Sequence, residues 1–295
     1  MDVGVIGLGA MGGRMVSTLL NAGHEATVYD VSAAAVERAV DAGAKPAASN
    51  AEIGAVSRVV LLSLPLPAHV VEVVTGETGL LSRPAEGLVV VDTSTVDPNT
   101  TRRLANEATA IGVGYLDAPV LGRPDACGSW SLPVGGDHAA LEVARPVLEA
   151  LARNVLHVGE SGAGNAIKLL NNLMFGAINA ITAEVFVAAA LVGVSPREFY
   201  DAVAGSGAAA VSGLFRELGP KILERDFSPT FTVDLLHKDN SLAIEMIEEA
   251  GASVIVGGAV ETLNGLARAA GYGSEDTSAT MKVYETILGV KVAGH

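Results

Sequence analysis

Residues 3–15 read VGVIGLGAMGGRM, and this stretch decides the fold. A short β-branched run leads into Gly7, Leu8, Gly9, Ala10, Met11 and Gly12, a G-x-G-x-x-G pattern, and a helical pattern follows from Ala10 to Asn21. Each glycine has a physical task. Gly7 permits the tight turn, Gly9 lets a pyrophosphate approach the backbone, and Gly12 allows close helix–sheet packing. The helix start then offers N–H donors and the positive end of its dipole to phosphates. An acid at the expected offset strengthens the reading: Asp30 closes the next strand in ATVYDV. A carboxylate there hydrogen-bonds the adenosine ribose and repels a 2′-phosphate, so NAD is expected over NADP; the alternative for Asp30 is a plain helix cap.

Working outward, short apolar runs alternate with helical patterns through the first half. ATVY is followed by a helix pattern over Ser32 to Asp41, and RVVLLSL and GLVVVDT are further strands, each with a helix pattern after it. That alternation predicts βαβ units, a parallel sheet and an α/β class. Asp97 and Pro98 suit the cap and first turn of the helix after VVVDTSTVDP. Beyond Gly164 strand-like runs nearly vanish, and helical spacing dominates to the end. The Gly/Ser-rich break over 158–165 marks the boundary, giving a dinucleotide-binding domain over 1–161 and an all-helical domain over 162–295. The helix that begins near Gly164 is apolar almost all round and is expected to be a long buried link.

Composition narrows the classes. A formal net charge of -14 argues against a nucleic-acid partner, whose phosphates want a basic surface, but leaves room for a small anionic ligand. The single cysteine, Cys127, excludes an intrachain disulfide and fits a reducing compartment. MDVGVIGLGA enters a strand pattern with no basic leader, and Pro65, Pro67 and Glu184 interrupt the later apolar runs. A cytoplasmic protein without a membrane partner is therefore expected. The six histidines lack ligand spacing, and no metal is expected.

GNAIKLLNNLMFGAINAITAEVF, starting at Gly164, places Lys168, Asn171 and Asn172 among apolar residues. At ~100° per residue, Asn172 lies about 40° from Lys168 and Asn171 about 60° to the other side, so the three share one face. A lysine beside a dinucleotide site can carry the proton of a hydroxyl or carbonyl, with Asn172 orienting the oxygen. The competing reading is a snorkelling lysine with two amides capping nearby backbone.

Several separated motifs together resemble the β-hydroxyacid dehydrogenase family, which includes 3-hydroxyisobutyrate dehydrogenases and tartronate semialdehyde reductases. The stretch VGVIGLGAMGGRMVSTLLNAGHEATVYD resembles its cofactor signature, DAPV at Asp117 its substrate motif, GNAIKLLNN its catalytic motif and HKDNSLA its C-terminal motif. The resemblance implies a Rossmann-type domain followed by an all-α domain, assembled as a homodimer or homotetramer. It implies Lys168 as the catalytic lysine and Asn172 as the substrate-orienting asparagine, with Asn171 beside them. Leu64, Pro65 and Thr95 match positions lining the nicotinamide, and Lys238 matches a lysine at the cofactor end. The implied reaction is hydride transfer between nicotinamide and a small hydroxy acid or its aldehyde, in a cleft between the domains.

The substrate motif departs from the family. Where Ser-Gly-Gly usually follows DAPV, this chain has Leu121, Gly122 and Arg123, and the later Thr-Leu pair is Ser129 and Trp130. Leu121 cannot supply the usual hydroxyl, whereas Arg123 can grip a carboxylate or sulfonate through its bidentate fork. Alternatively Arg123 faces solvent and the Gly122 backbone alone binds. Two other activities resemble this pattern less well. Imine reductases and non-catalytic assembly modules of similar fold generally lack the lysine found at Lys168.

Overall fold

The computed structural model describes residues 1–207 and 211–292. Contacts divide the chain into Met1–Lys168 and Leu169–His295. The first unit is built on an eight-stranded sheet. Its strands are β1 (Asp2–Ile6), β2 (Glu25–Tyr29), β3 (Lys45–Pro46), β4 (Val59–Leu62), β5 (Val89–Asp92), β6 (Gly114–Asp117), β7 (Trp130–Gly136) and β8 (Ala152–Gly159). Their spatial order is β3-β2-β1-β4-β5-β6-β7-β8.

Strand periodicity assigns the two faces. Val3, Val5, Val59, Leu61, Val89 and Val91 join one core, while Ile6, Val60, Leu62 and Val90 join the other. Helices α1 (Ala10–Asn21), α2 (Ala33–Asp41) and α6 (His138–Leu151) contribute to the first core. Helices α3 (Asn50–Val56), α4 (Pro67–Thr75) and α5 (Pro98–Thr109) contribute to the second. Both faces are covered, which explains why the central strands read as unbroken apolar runs. The caps agree with the sequence: the Asp97 carboxylate accepts from Thr100 N–H, and Pro98 opens α5.

One expectation needs correcting. The sheet is mixed, because β7 runs antiparallel to β6. No helix separates these two strands; the 118–129 segment between them holds only a short 3-10 turn over Pro124–Ala126. A right-handed parallel crossover needs about a dozen residues and usually a helix, so this connection turns back instead.

Helix α7 (Ala163–Leu191) is continuous through Glu184, so that residue does not interrupt the apolar run as expected. By length and composition α7 could cross a membrane. It nevertheless carries buried Asn172 and Asn179, with Leu169, Phe186 and Val187 in the protein interior. The second unit adds α8 (Pro196–Ala204), α9 (Gly213–Glu224), α10 (Val233–Glu249), α11 (Ile255–Ala269) and α12 (Met281–Leu288). One of its cores gathers Phe186, Phe215, Leu218 and Ile222, with Phe186 edge-on to Phe199 at 5.6 Å between ring centroids.

Candidate active site

The glycine loop has the geometry its sequence requires. Gly7 has φ 89°, and a Cβ there would lie 2.3 Å from the Ser63 carbonyl oxygen. A Cβ at Gly12 would lie 1.8 Å from the Gly7 carbonyl oxygen, whereas one at Gly9 would meet nothing within 4 Å. Gly9 caps α1 without a side-chain hydrogen bond. The first-turn N–H groups at Ala10, Met11 and Gly12 lack intrahelical acceptors by the geometry of a helix start. This cradle fits a pyrophosphate.

Asp30 is tied into the same loop. Its carboxylate accepts from Leu8 N–H at 2.6 Å and from Ser32 N–H at 2.7 Å. The cap of α2 is Ser32, whose hydroxyl accepts from Ala35 N–H, so Asp30 is not that cap. Each carboxylate oxygen has a second lone pair with which to accept a ribose hydroxyl.

Leu64, Pro65 and Thr95 lie in the loops after β4 and β5, at the carboxyl ends of strands where ligands of such sheets bind. Side chains hold these loops. Leu64 N–H donates to Ser94 Oγ at 2.9 Å, and Ser94 N–H donates to Asp92 at 2.9 Å. On the other side of Thr95, Val96 N–H donates to Asn165 Oδ1 at 3.2 Å. Asp92 is buried and also accepts from Tyr115 Oη at 3.1 Å. Burial raises its pKa to about 6, against the opposing pull of the Ser94 and Tyr115 hydrogen bonds.

Asp117, the first residue of DAPV, is fully buried and belongs to the framework. Its carboxylate accepts from Gly162 and Asn165 N–H groups, each at 2.8 Å, and so caps the start of α7. Burial pushes its pKa up against those backbone hydrogen bonds. Asn165 also donates to Thr101 Oγ1 at 3.1 Å. Lys168 follows one turn later, half-buried, and its ammonium donates to the Val120 carbonyl at 2.8 Å. Val120 immediately precedes the Leu121-Gly122-Arg123 segment. Gly122 is exposed and Arg123 is partly buried.

Within the second unit, Asn172 Nδ2 donates to Asp239 at 2.5 Å, while its Oδ1 accepts from Asn171 Nδ2 at 3.1 Å. Lys238 Nζ lies 2.8 Å from Asp239 Oδ1. Asp239 therefore ties Asn172 to Lys238 and leaves Asn172 Oδ1 as the atom able to accept a further donor. The sequence reading passed over Asp239, Asp92 and Asn165. For Asp239 a signal existed, its place beside Lys238 in HKDNSLA. Asp92 carries a local signal only for its Asx-type bond to Ser94, and no spacing rule relates Asp92 to Tyr115 or Asn165 to Val96.

Known proteins resemble this chain over nearly its whole length. The family description "NAD binding domain of 6-phosphogluconate dehydrogenase" covers residues 2–159. A second, "NAD-binding of NADP-dependent 3-hydroxyisobutyrate dehydrogenase", covers residues 162–284. A 2-(hydroxymethyl)glutarate dehydrogenase of Eubacterium barkeri is 35% identical over 100% of this chain and 98% of its own. A 3-sulfolactaldehyde reductase of Escherichia coli is 36% identical over 98% of this chain and 97% of its own. The crystal structure of a 3-hydroxyisobutyrate dehydrogenase from Salmonella typhimurium superposes with a TM-score of 0.89 at 29% identity, covering 96% of this chain and 99% of that one.

Proposed function

We propose a substrate class and a division of labour for this chain, which belongs to the β-hydroxyacid dehydrogenase family. It is an oxidoreductase that uses a nicotinamide dinucleotide and acts on a small hydroxy acid or the corresponding semialdehyde. The finer reading is NAD as cofactor and a small anionic hydroxy acid, carboxylated or sulfonated, as substrate. Asp30 supports NAD, and Arg123 supports an anion of either kind.

The observation that carries the reading is the placement of Lys168. Its ammonium is held on the Val120 carbonyl, two residues before Gly122 in the substrate motif. When bound, the nicotinamide accepts or supplies the hydride at the hydroxyl-bearing carbon. In oxidation the amine of Lys168 takes the hydroxyl proton as the carbonyl forms; in reduction its ammonium returns that proton to the carbonyl oxygen. Asn172 Oδ1 accepts a hydrogen bond from the substrate hydroxyl, and Asp239 holds the amide in its orientation. Gly122 N–H and Arg123 take the substrate anion.

Lys168→Ala should lower turnover by about 10²-fold or more while dinucleotide binding persists. The assay is a panel of serine, threonate, 3-hydroxyisobutyrate, glycerate and a sulfonated alcohol with NAD. A variant retaining more than half the turnover of the unmodified enzyme would refute the assignment. For assembly we favour a homodimer or homotetramer, supported by the exposed apolar side chains of Met174, Ile181, Ile255 and Val256 in the helical unit. The lone cysteine supports a cytoplasmic setting.

A further inference from the structure

The loop between β6 and β7 carries a feature that the reaction has not yet used. Leu121 and Ser131 pair across its mouth, with N–H to carbonyl distances of 3.0 and 3.3 Å. Inside, Trp130 is 1% exposed and packs in the same core as Leu132 and Val134. Its indole Nε1–H donates to the Arg123 carbonyl at 2.7 Å. Its Cδ1 edge lies so close to Gly122 that a Cβ there would come within 2.4 Å. One buried ring therefore meets both residues assigned to the substrate anion. An apolar residue could fill the same volume, but only an indole among the large apolar side chains also carries a donor of this reach.

We propose that Trp130 is a positioning residue for substrate selection: its indole fixes the Gly122–Arg123 backbone so that the Gly122 N–H and the Arg123 guanidinium converge on the substrate anion. The inference rests on the reading that these two residues bind that anion. It adds the reason the segment can present a long, entropically costly side chain in one direction. The carbonyl of Arg123 is pinned from behind by Trp130, and Leu121 is pinned by Ser131.

Trp130→Phe keeps an aromatic ring in the core but deletes the five-membered part of the indole, and with it the donor and the edge against Gly122. In the full chain with NAD, the KM for 3-hydroxyisobutyrate should rise roughly three- to tenfold, the effect of one lost hydrogen bond. Turnover should stay within about twofold, since Lys168 is untouched, and the uncharged methyl ester should be affected less. In an Arg123→Ala background the same change should add little, because the two residues act through one another. The chain has one tryptophan, which gives a readout apart from activity. Titrating 3-hydroxyisobutyrate with NAD into Lys168→Ala, which forms little NADH, should shift or quench Trp130 emission, and adding Arg123→Ala should remove that response. Equal losses on acid and ester, full additivity with Arg123→Ala, or an unresponsive emission would each overturn the proposal. The emission experiment decides the matter if Trp130→Phe does not fold. Arg123→Ala with no effect on the charged substrate would instead sink the anion reading itself. A clear Arg123→Ala defect beside a silent Trp130→Phe would sink only the role of Trp130.

Discussion

Two loops of the first unit, 7–12 and 121–131, are ordered by different physics. The glycine loop is shaped by what its residues lack. Added Cβ atoms at Gly7 and Gly12 would run into backbone carbonyls, and backbone cannot step aside. The substrate loop is shaped by what its residues supply: an indole donor on the Arg123 carbonyl and a side-chain edge against Gly122. A steric rule reads the same in every chain that obeys it. A particular hydrogen bond between residues seven apart does not, and it can change along with the substrate.

The sharpest test of that contrast is at the glycines. Gly12→Ala should cost about 3 kcal/mol or more of stability, because the methyl meets a carbonyl oxygen that the strand and helix hold in place. Gly9→Ala should leave unfolding within about 1 kcal/mol, since its methyl meets open space. That methyl should instead obstruct the pyrophosphate expected there, and the Kd for NADH should rise about tenfold or more, some 1.4 kcal/mol. Chemical unfolding without cofactor, paired with fluorescence titration of NADH, separates the two outcomes. If both variants lose stability alike, the loop is not divided between packing and binding in this way.

Next in size is the cofactor ratio. Asp30→Ala should reduce the preference for NAD over NADP, measured as the ratio of kcat/KM values, by about tenfold or more. An unchanged ratio would show that Asp30 only braces the loop through Leu8 and Ser32.

The smallest effect is expected behind the loops after β4 and β5, which, like 121–131, are held by side chains. Asp92 has its pKa raised by burial to about 6, so between about 4 and 6 the native state binds more protons than the unfolded chain. Its favourable contribution is complete below the unfolded value and is lost as pH rises through about 6. Asp92→Asn keeps an acceptor for Ser94 N–H and a donor for Tyr115 Oη without the buried charge. Its Tm at pH 8 should exceed that of the unmodified protein by about 2–4 °C, the equivalent of about 1 kcal/mol, and the gap should shrink at pH 4. A gap that widens on acidification would reverse the assignment.

These two kinds of order also explain what could be read in advance. Helix α1, the strands around it and the capped start of α5 follow from local rules, namely glycine sterics, burial on both faces and the Asp97-Pro98 cap. The shared face of Lys168 and Asn172 follows from helical geometry. Nothing local announced that Asp117 would cap α7 across 45 residues, or that Asn165 would hold Val96. Those are long-range side-chain bonds, and a linear sequence carries no period for them.

The hydrogen bond from Leu8 to Asp30 has a consequence for anyone wishing to retool the enzyme for phosphorylated cofactors. Removing the carboxylate to admit a 2′-phosphate also unties the first turn of the loop that must grip the pyrophosphate. On the NAD reading proposed above, discrimination and grip are linked at one side chain, and a swap to Ala gives up both. Asparagine keeps an oxygen for Leu8 while discarding the charge. The workable route therefore starts from Asp30→Asn, and a positive residue is introduced nearby only afterwards.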